Sequence, residues 1–267
     1  MLQAVNLTKR FGRVVALRNV SFEADAGRVA IIGQNGSGKS TLLSIMFGAL
    51  RPTEGVLRVD GYEPYKLRER ASKDMSIVFE RPTFDISVRV RDVYEVLSGY
   101  GDSDCLSFFW EGLGVRDFRN TALPDLSSGE KQLVQLMQAF CRESRLKILD
   151  EPFSHVDVRH VGLIGDYILR RGFSVVFTTH VPEEAEWLGE YFVMLRDGEV
   201  VWHGGLSDLE REGVYEVYLR GEPPEGVEVL AKFGYVAIVR SDYDELVELV
   251  RRGRVRGFRR LGVRRYF

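Results

Sequence analysis

The sequence has 267 residues, of which 45% are hydrophobic and 28% are charged, with a formal net charge of −2. This composition excludes an intrinsically disordered chain, and the near-neutral charge argues against a dedicated nucleic-acid binder. The length predicts one large domain with a small appendage, because a chain of this size can bury a substantial core.

No targeting or membrane-spanning segment is predicted. Residues 1–6 lack the charged and apolar regions of a secretory signal, and no stretch approaches the roughly 18 uninterrupted apolar residues that suggest a membrane span. The two cysteines, Cys105 and Cys141, have a spacing that suggests neither a zinc site nor a disulfide framework. We therefore expect a cytoplasmic protein in which both cysteines are reduced packing residues.

A glycine-rich loop follows an apolar strand pattern near the N-terminus. The loop covers residues 33–41, after the apolar run 28–32 and before a helical pattern over 42–47, which is the context of a phosphate-binding loop. Glycines allow backbone N–H groups to converge on anionic oxygens, and the helix N-terminus adds partial positive charge. Lys39 is suited to contact terminal phosphates, and Ser40 to offer its hydroxyl to Mg²⁺. Unless the segment is a surface turn that matches by chance, the residues that bind a nucleoside triphosphate are Gly33, Gln34, Asn35, Gly36, Ser37, Gly38, Lys39, Ser40 and Thr41.

Between residues 55 and 140 the pattern changes from strand to helix. Residues 55–61 predict a hairpin-like return, and an apolar strand over 76–79 ends at Glu80. From about 81 to 140 the pattern is helical. Its apolar set is Val88, Val90, Val93, Val96 and Leu97.

A serine-rich turn precedes the last helix of this segment. Ser127, Ser128, Gly129 and Glu130 stand directly before the helical run 131–140. Such a turn is a second candidate anion site, because the N–H groups and the dipole of a helix N-terminus favour negative charge. Taken alone, the pattern favours an ordinary N-cap at Ser127 or Ser128, but its place shortly before the next strand favours the anion site.

That next strand, an apolar run over 146–149, ends in the carboxylates Asp150 and Glu151. Asp150 is suited to hold Mg²⁺ through its water shell, since Mg²⁺ keeps several waters and takes few protein ligands. Glu151 would lie beside the γ-phosphate, where it orients or deprotonates the attacking water. A buried strand that happens to end in acids is the alternative, and the glycine-rich loop upstream makes the metal site the better interpretation.

Strands then alternate with helices through Arg196, as expected of a largely parallel sheet covered on both faces. Asp197-Gly198 between two apolar strands predicts a hairpin turn. These features indicate an α/β fold.

The tail from about residue 206 predicts a small α+β appendage. Strands are predicted over 214–219 and 235–239, a helix over 244–250, and a last strand over 259–264.

The tail also carries a basic run. Between Arg251 and Arg265 there are eight arginines and no acids. Such a run could lie against anionic lipid headgroups or bind nucleic acid. We favour a solvated face whose arginines pair with acids from residues 208–248, because the arginines are interspersed with apolar strand positions.

The order and spacing of these motifs resemble the ATP-binding cassette (ABC) family of ATPases over residues 1 to about 205. Residues 33–41 are similar to the Walker A loop, 126–130 to the family signature, and 146–151 to Walker B with its catalytic glutamate. Three further residues match single positions of the family. They are Asp157 in the D-loop, His180 at the switch histidine, and Phe11 where an aromatic residue stacks on adenine.

The resemblance implies a fold and a mechanism. The fold is a P-loop NTPase with a mixed, largely parallel sheet, an antiparallel N-terminal part, and an inserted helical subdomain that receives a permease's coupling helix. Two cassettes pair head to tail, so Ser127 to Glu130 of one chain act on the ATP bound by Lys39 of its partner. His180 steadies the γ-phosphate, and Ser40, Asp150 and Glu80 are the expected Mg²⁺ ligands.

Three positions depart from the family pattern. The family usually has glutamine where this chain has Glu80, and a carboxylate there also ligates Mg²⁺ while adding negative charge near the triphosphate. A one-residue misalignment is the alternative. Ser128 stands where glycine is common, and Glu130 replaces glutamine, which puts the geometry of the signature in doubt.

We expect an ATP-hydrolysing ABC subunit that powers a separate integral membrane permease, with export as the expected direction. It would lie on the cytoplasmic face of the membrane, paired with a second cassette that is identical or different, and bind no specific nucleic acid. The alternatives are a soluble ABC ATPase, for example in cofactor assembly, and a nucleotide-binding regulator without turnover. The tail looks like the C-terminal extension of exporter-type cassettes.

Overall fold

A computed structural model describes residues 1–84, 87–211, 213–224 and 227–263. The chain divides into two compact units, Met1–His203 and Gly204–Phe267. Among the residues just given, no helix combines the length and the apolar character needed to cross a bilayer.

The described residues of the first unit form nine strands and seven α-helices, counting β9, which extends two residues past the unit boundary. The strands are β1 (Leu2–Phe11), β2 (Val14–Ala24), β3 (Arg28–Ile32), β4 (Glu54–Val59), β5 (Met75–Val78), β6 (Leu146–Leu149), β7 (Val175–Thr179), β8 (Tyr191–Arg196) and β9 (Glu199–Gly205). The α-helices are α1 (Lys39–Met46), α2 (Arg68–Asp74), α3 (Val90–Ser98), α4 (Ser103–Ser107), α5 (Ser128–Cys141), α6 (Val158–Arg171) and α7 (Pro182–Leu188). A π-helical turn covers Phe108–Gly112, and 3-10 turns cover Val115–Phe118 and Leu123–Asp125.

The N-terminal strands form an antiparallel sheet in the order β2-β1-β4. Alternate residues such as Leu2, Ala4 and Leu57 face the core, which is the period-2 pattern of a half-buried sheet. The antiparallel N-terminal part that the family resemblance implied is confirmed.

The second sheet has the order β5-β6-β7-β3-β8-β9. The neighbours from β5 through β8 pair in parallel, and all five residues of β7 are buried, as expected for strands covered on both faces. Between β8 and β9, Asp197 and Gly198 both have positive φ angles, which confirms the predicted hairpin turn. Because parallel strands end at the same edge, the segments after β3, β5, β6 and β7 lie together.

The described elements between 81 and 140 are the helices α3, α4 and α5 and three short helical turns, and the predicted apolar set is only partly a core face. Helix α3 buries Val90, Val93 and Leu97, whereas Val96 is 64% exposed. Val96 lies at the edge of this face, where it lines an open cavity with residues of α5, and a list of apolar residues does not show this.

The prediction for the cysteines was wrong. Cys105 in α4 and Cys141, the last residue of α5, are buried, but they form a disulfide bond with a Cα–Cα distance of 5.2 Å. The two residues are 36 positions apart, and only the packing of α4 against α5 brings them together.

The second unit is a four-stranded antiparallel sheet with the order β11-β12-β10-β13. Its elements are α8 (Leu206–Arg211), β10 (Val214–Leu219), β11 (Glu228–Phe233), β12 (Val236–Arg240), α9 (Tyr243–Arg251) and β13 (Val255–Arg260). The core of the sheet contains Tyr215, Val217, Val239 and Leu246.

Three predictions for this unit hold and one was misplaced. Strands β10 and β12 and helix α9 lie where the pattern predicted them, within one residue at each end. The last strand is β13, which starts four residues before the predicted 259–264, because Val255 is the residue that packs into the core. Arg264, the end of the predicted strand, lies outside the described residues.

The basic run in this unit is partly paired. Arg252 lies 2.7 Å from Glu248, and Arg259 lies 2.7 Å from Glu216. Arg256 stacks over the ring of Tyr235. These contacts agree with the interpretation of the run as a solvated face whose arginines pair with nearby acids.

Candidate functional site

The glycine-rich loop connects β3 to α1. At two of its positions the neighbouring backbone lies so close that only glycine fits. A Cβ at Gly33 would lie 2.3 Å from the Leu195 carbonyl oxygen. Gly38 is the N-cap of α1 with a φ of 102°, and a Cβ there would lie 2.6 Å from the Ala16 carbonyl oxygen. Positive φ angles at Gly36 and Gly38 curl the loop, which is the geometry of an anion-binding nest.

Lys39, the first residue of α1, folds back over this loop. Its Nζ donates to the carbonyl oxygens of Gly33 at 2.7 Å and Gln34 at 3.3 Å, and its side chain is only 6% exposed. The same Nζ lies 3.2 Å from Glu151 Oε1, whose side chain is 7% exposed. The loop therefore holds a buried positive charge that is paired with a buried carboxylate.

The two carboxylates after β6 are held in different ways. The Thr178 hydroxyl donates to Asp150 Oδ1 at 2.6 Å and accepts from the Glu151 N–H at 2.8 Å. Glu151 has a φ of 45°, a left-handed conformation that costs a non-glycine residue on the order of 1 kcal/mol. Such strain persists only where surrounding contacts impose it, and here it turns the carboxylate toward Lys39.

His180 follows β7 and contacts the same carboxylate. Its Nδ1 lies 2.9 Å from Glu151 Oε2, so the two oxygens of Glu151 face Lys39 and His180 respectively. The His180 side chain is half exposed, which leaves it accessible from solvent. Lys39, Glu151 and His180 come from three separate segments of the chain, at the shared edge of β3, β6 and β7.

A helix next to this triad contains a further acidic group that sequence reasoning missed. Glu184 in α7 accepts a hydrogen bond from the Thr179 hydroxyl at 2.6 Å, and Thr179 Oγ1 accepts from the Val181 N–H. Burial raises the pKa of Glu184, and the nearby charge of Glu151 acts in the same direction. These hydrogen bonds hold Thr179 and Val181, the residues on either side of His180.

A cavity of about 390 Å³ opens in front of these groups. It is lined by Ala16, Asn35, Gly36, Gly38, Lys39, Ser40, Thr41, Glu80, Arg81 and Glu151. Sequence reasoning predicted eight of these positions and missed Ala16 and Arg81. Arg81 Nε lies 3.5 Å from Glu80 Oε1, a contact between chain neighbours that no motif signals.

The expected Mg²⁺ ligands are oxygen donors of the right chemistry. Ser40 and Glu80 line the cavity, whereas Asp150 is buried directly before Glu151 in the chain and is not among the lining residues. In the part of the chain that the structure describes, no three acidic, histidine or cysteine side chains converge as a metal-binding cluster. A hydroxyl and two carboxylates suit Mg²⁺, which completes its shell with water and phosphate oxygens.

The signature residues lie elsewhere, at the start of α5. Ser127 is the N-cap, and its hydroxyl accepts from the Glu130 N–H at 3.3 Å. Glu130 Oε2 accepts from the Ser127 N–H at 2.9 Å and from the Ser127 hydroxyl at 2.7 Å, which completes a capping box. The N-cap alternative is thus present in the structure, with the Glu130 carboxylate bound at the first turn of the helix.

The D-loop packs against this turn. A Cβ at Gly129 would lie 2.8 Å from the His155 carbonyl oxygen, so only glycine allows this close approach. Asp157 caps α6 by accepting from the Arg159 N–H at 2.8 Å. Gly129, Glu130 and Asp157 line a second cavity, of about 590 Å³, together with residues of the segment 111–118.

Phe11 lies apart from both the phosphate-binding loop and the signature residues. It ends β1 with its ring 47% exposed, and Lys9 Nζ lies 4.9 Å from the ring centre. Phe11 does not line either cavity within the described residues. The ring is an accessible apolar surface that remains available for stacking.

A third cavity, of about 470 Å³, lies between α3, α5 and β5. Val96 and Tyr100 expose apolar surface there, and Gln135 and Gln138 line it from α5. We refer to this cavity as the α3–α5 groove.

Known proteins share this architecture. The family model described as "ABC transporter" matches residues 17–154. An uncharacterized ABC transporter ATP-binding protein of Methanocaldococcus jannaschii is 29% identical over 231 residues, 82% of each chain. An energy-coupling factor transporter ATP-binding protein of Methanospirillum hungatei is 30% identical, over 74% of this chain and 76% of its own.

A solved structure supports the same relationship. It is a dimeric ATP-binding cassette in a post-hydrolysis state, bound to ADP and Pi. It superposes with a TM-score of 0.64 at 26% identity, over 77% of this chain and 99% of that one.

Proposed function

The chain belongs to the ABC transporter family of ATP-binding proteins, and from this premise we propose that it hydrolyses ATP with Mg²⁺ to power a separate membrane permease. The observation that carries the proposal is the position of Glu151. Its carboxylate is held between Lys39 and His180 at the wall of the cavity of about 390 Å³ beside the phosphate-binding loop, which we call the nucleotide cavity.

Nucleotide binding begins with an exchange of partners at Lys39. The ammonium is paired with Glu151 and two loop carbonyls, and the γ-phosphate offers a competing anion on the open side of the cavity. Once Lys39 turns to phosphate, the Glu151 carboxylate is released toward the same space. Ser40, Asp150 and Glu80 would hold Mg²⁺, which when bound would compensate the charge of the phosphate oxygens.

The released Glu151 is suited to act as the general base. A carboxylate at the wall of the cavity can accept the proton of the attacking water, and the strained backbone at Glu151 aims it inward. His180 contacts the other oxygen of that carboxylate, and its proposed role is to steady the γ-phosphate. Glu184 and Thr179 orient the loop that carries His180.

The signature turn completes the site from a second chain. Ser127 and Glu130 satisfy each other on an exposed helix N-terminus, which is an anion site by its N–H groups and dipole. A partner's γ-phosphate would take over the Ser127 hydroxyl and the backbone around Gly129, with Asp157 of the D-loop beside them. A head-to-tail pair of cassettes brings the two groups together.

The proposed permease contact is the α3–α5 groove. Its exposed Val96 and Tyr100 offer apolar surface to a partner segment. A permease bound in this groove would hold the present chain peripherally on the cytoplasmic face of the membrane. We propose export as the direction, because a small α+β unit follows the cassette as in exporter-type chains.

Copurification tests the transporter role. The tagged chain is captured from detergent-solubilised membranes of its source, and its partners are identified by mass spectrometry. A Val96→Asp variant is the matched control, since a charge in the α3–α5 groove should release a permease but leave ATP hydrolysis intact. The proposal is supported if an integral membrane protein copurifies with the wild type but not with Val96→Asp. It is contradicted if the only partner is water-soluble and copurifies with both the wild type and Val96→Asp.

A further inference from the structure

The second unit contains a cavity that plays no part in the proposed ATP chemistry. It has a volume of about 770 Å³ and lies between α9 and β13, the strand that ends the described sheet. We call it the α9–β13 cavity. Its size is in the range of pockets that hold small organic molecules, roughly 300–1,000 Å³. Among the described residues that line it there is no acid, but there are three aromatic residues and three arginines, namely Tyr215, Tyr243, Phe258, Arg251, Arg259 and Arg260.

The aromatic rings form a continuous apolar wall. Phe258 packs edge-to-face against Tyr215 and Tyr243, with ring centres 5.6 Å and 5.5 Å apart. Tyr243, Val247 and Val250 extend this wall along α9, because residues spaced by four and three positions lie on one face of a helix. Tyr215 is only 2% exposed, whereas Tyr243 is 54% exposed. A flat apolar body in the cavity would therefore bury aromatic surface that now faces water.

The arginines give the same cavity a positive charge. Arg259 is paired with Glu216, and Arg260 donates to the Tyr215 hydroxyl at 3.3 Å. For the Arg251 side chain, which is exposed, the described residues provide no ion pair, hydrogen bond or stacked ring. Arg251 can therefore bind an incoming anion without first giving up a partner in the described part of the chain.

We propose that the α9–β13 cavity binds a small amphipathic anion, with an aromatic body against the apolar wall and a carboxylate, sulfonate or phosphate at Arg251. A neutral apolar ligand would leave the charge of Arg251 unused, and an inorganic anion would leave the wall exposed. A second copy of this chain does not fit the charge, because pairing two β13 strands would bring arginines together. The site is independent of the ATP chemistry proposed above.

The test compares two probes that share an aromatic body and differ in charge. The anionic probe is anilinonaphthalene sulfonate, and the neutral probe is phenylnaphthylamine, which lacks the sulfonate. Fluorescence titration of the full chain gives the half-saturating concentration of each probe. Arg251→Gln removes the charge, and Tyr243→Ala shortens the apolar wall. Arg220→Gln and Tyr235→Ala are the matched controls, since both residues are exposed in the same unit and do not line the cavity.

We expect Arg251→Gln to weaken binding of the sulfonate at least about threefold, since an exposed charge pair changes an equilibrium by roughly this factor. The same variant should bind the neutral probe as the wild type does. Tyr243→Ala should weaken binding of both probes, because both lose contact with its ring. The two control variants should bind both probes with wild-type affinity.

Hydrogen exchange of the full chain, with and without the sulfonate, locates the bound probe. Slower exchange in peptides covering α9 and β13 is the expected result, and slower exchange confined to the first unit would overturn the proposal. Sulfonate binding that is equal in Arg251→Gln and Arg220→Gln would also overturn it. So would equal binding in Tyr243→Ala and Tyr235→Ala. Because Arg251→Gln must still bind the neutral probe, a loss of folding cannot imitate the expected result.

Discussion

The nucleotide cavity and the signature turn satisfy their polar groups in opposite ways. In the cavity, Lys39, Glu151 and His180 contact one another at buried or half-buried positions, and three segments of one chain supply them. At the signature turn, Ser127 and Glu130 are three residues apart and satisfy each other on the surface. In the proposed function, the cavity needs no rearrangement between chains, whereas the turn would give up a local contact to receive a phosphate.

This difference predicts which steps depend on a single chain. Nucleotide binding should depend on the cavity alone, while turnover should depend on both regions. Variants in each region, with matched controls elsewhere, test this distinction.

The largest expected effect is at Lys39. Lys39→Met removes the charge proposed to face the terminal phosphates, and we expect ATP affinity to fall about 100-fold, since charge-assisted contacts of this kind contribute a few kcal/mol. Isothermal titration of the full chain with Mg²⁺-ATP measures the change. Lys66→Met, which removes only an exposed pair with Glu63, is the control and should bind as the wild type. Unchanged affinity in Lys39→Met would place the nucleotide elsewhere.

The next effect is at Ser127. Ser127→Ala removes the hydroxyl proposed to contact a partner's phosphate, so turnover should fall about tenfold while ATP affinity stays within twofold. The variant also loses an N-cap, at a cost of about 1 kcal/mol. Asp242→Ala removes a comparable cap from α9 and should leave turnover unchanged. Equal turnover in Ser127→Ala and Asp242→Ala would show that Ser127 is only a cap.

A smaller effect is expected at Glu80. Glu80→Gln keeps the shape but removes the charge, so half-saturating Mg²⁺ should rise several-fold, with a lesser change in turnover at saturating Mg²⁺. A Mg²⁺ titration of ATP hydrolysis measures both. Glu69→Gln, on the exposed start of α2, serves as control. If Glu80→Gln leaves the Mg²⁺ dependence and the turnover unchanged, Glu80 is not a ligand.

The smallest effect concerns stability near His180. The folded-state pKa of Glu184 is raised by burial, so its ionisation opposes folding as pH rises from the ordinary glutamate value through the raised one. Glu184→Gln keeps an acceptor for Thr179 without that ionisation. Urea unfolding should show the variant gaining stability over the wild type between pH 4 and pH 7. A difference that does not change with pH would exclude burial of the charge as its cause.

The parts of the site that the sequence predicted are those that follow from local pattern. The glycine-rich loop, the carboxylates after β6 and the helix after the signature turn each lie within one strand–turn or turn–helix segment. The convergence of Gly36, Lys39, Glu80 and Glu151 on one cavity follows from parallel strands that end at one edge. Their roles in binding and catalysis stay predictions.

The parts of the fold and the site that the sequence did not predict depend on contacts between distant segments. The Cys105–Cys141 disulfide requires the packing of α4 on α5, and the Gln135 to Phe79 bond requires the packing of α5 on β5. Strand β11 was also missed, because most of its residues are exposed and its apolar pattern is weak. No local spacing signals any of these three features.

The most direct test of the account is single-turnover ATP cleavage by the Glu151→Gln variant, with bound nucleotide measured in the same samples. The account predicts ATP affinity within a few-fold of the wild type and cleavage slowed at least ~100-fold, because the amide cannot accept the proton of the attacking water. ATP should therefore remain intact in the complex. Cleavage at the wild-type rate would contradict the assignment of Glu151 as the base, and with it the central role given to its position between Lys39 and His180.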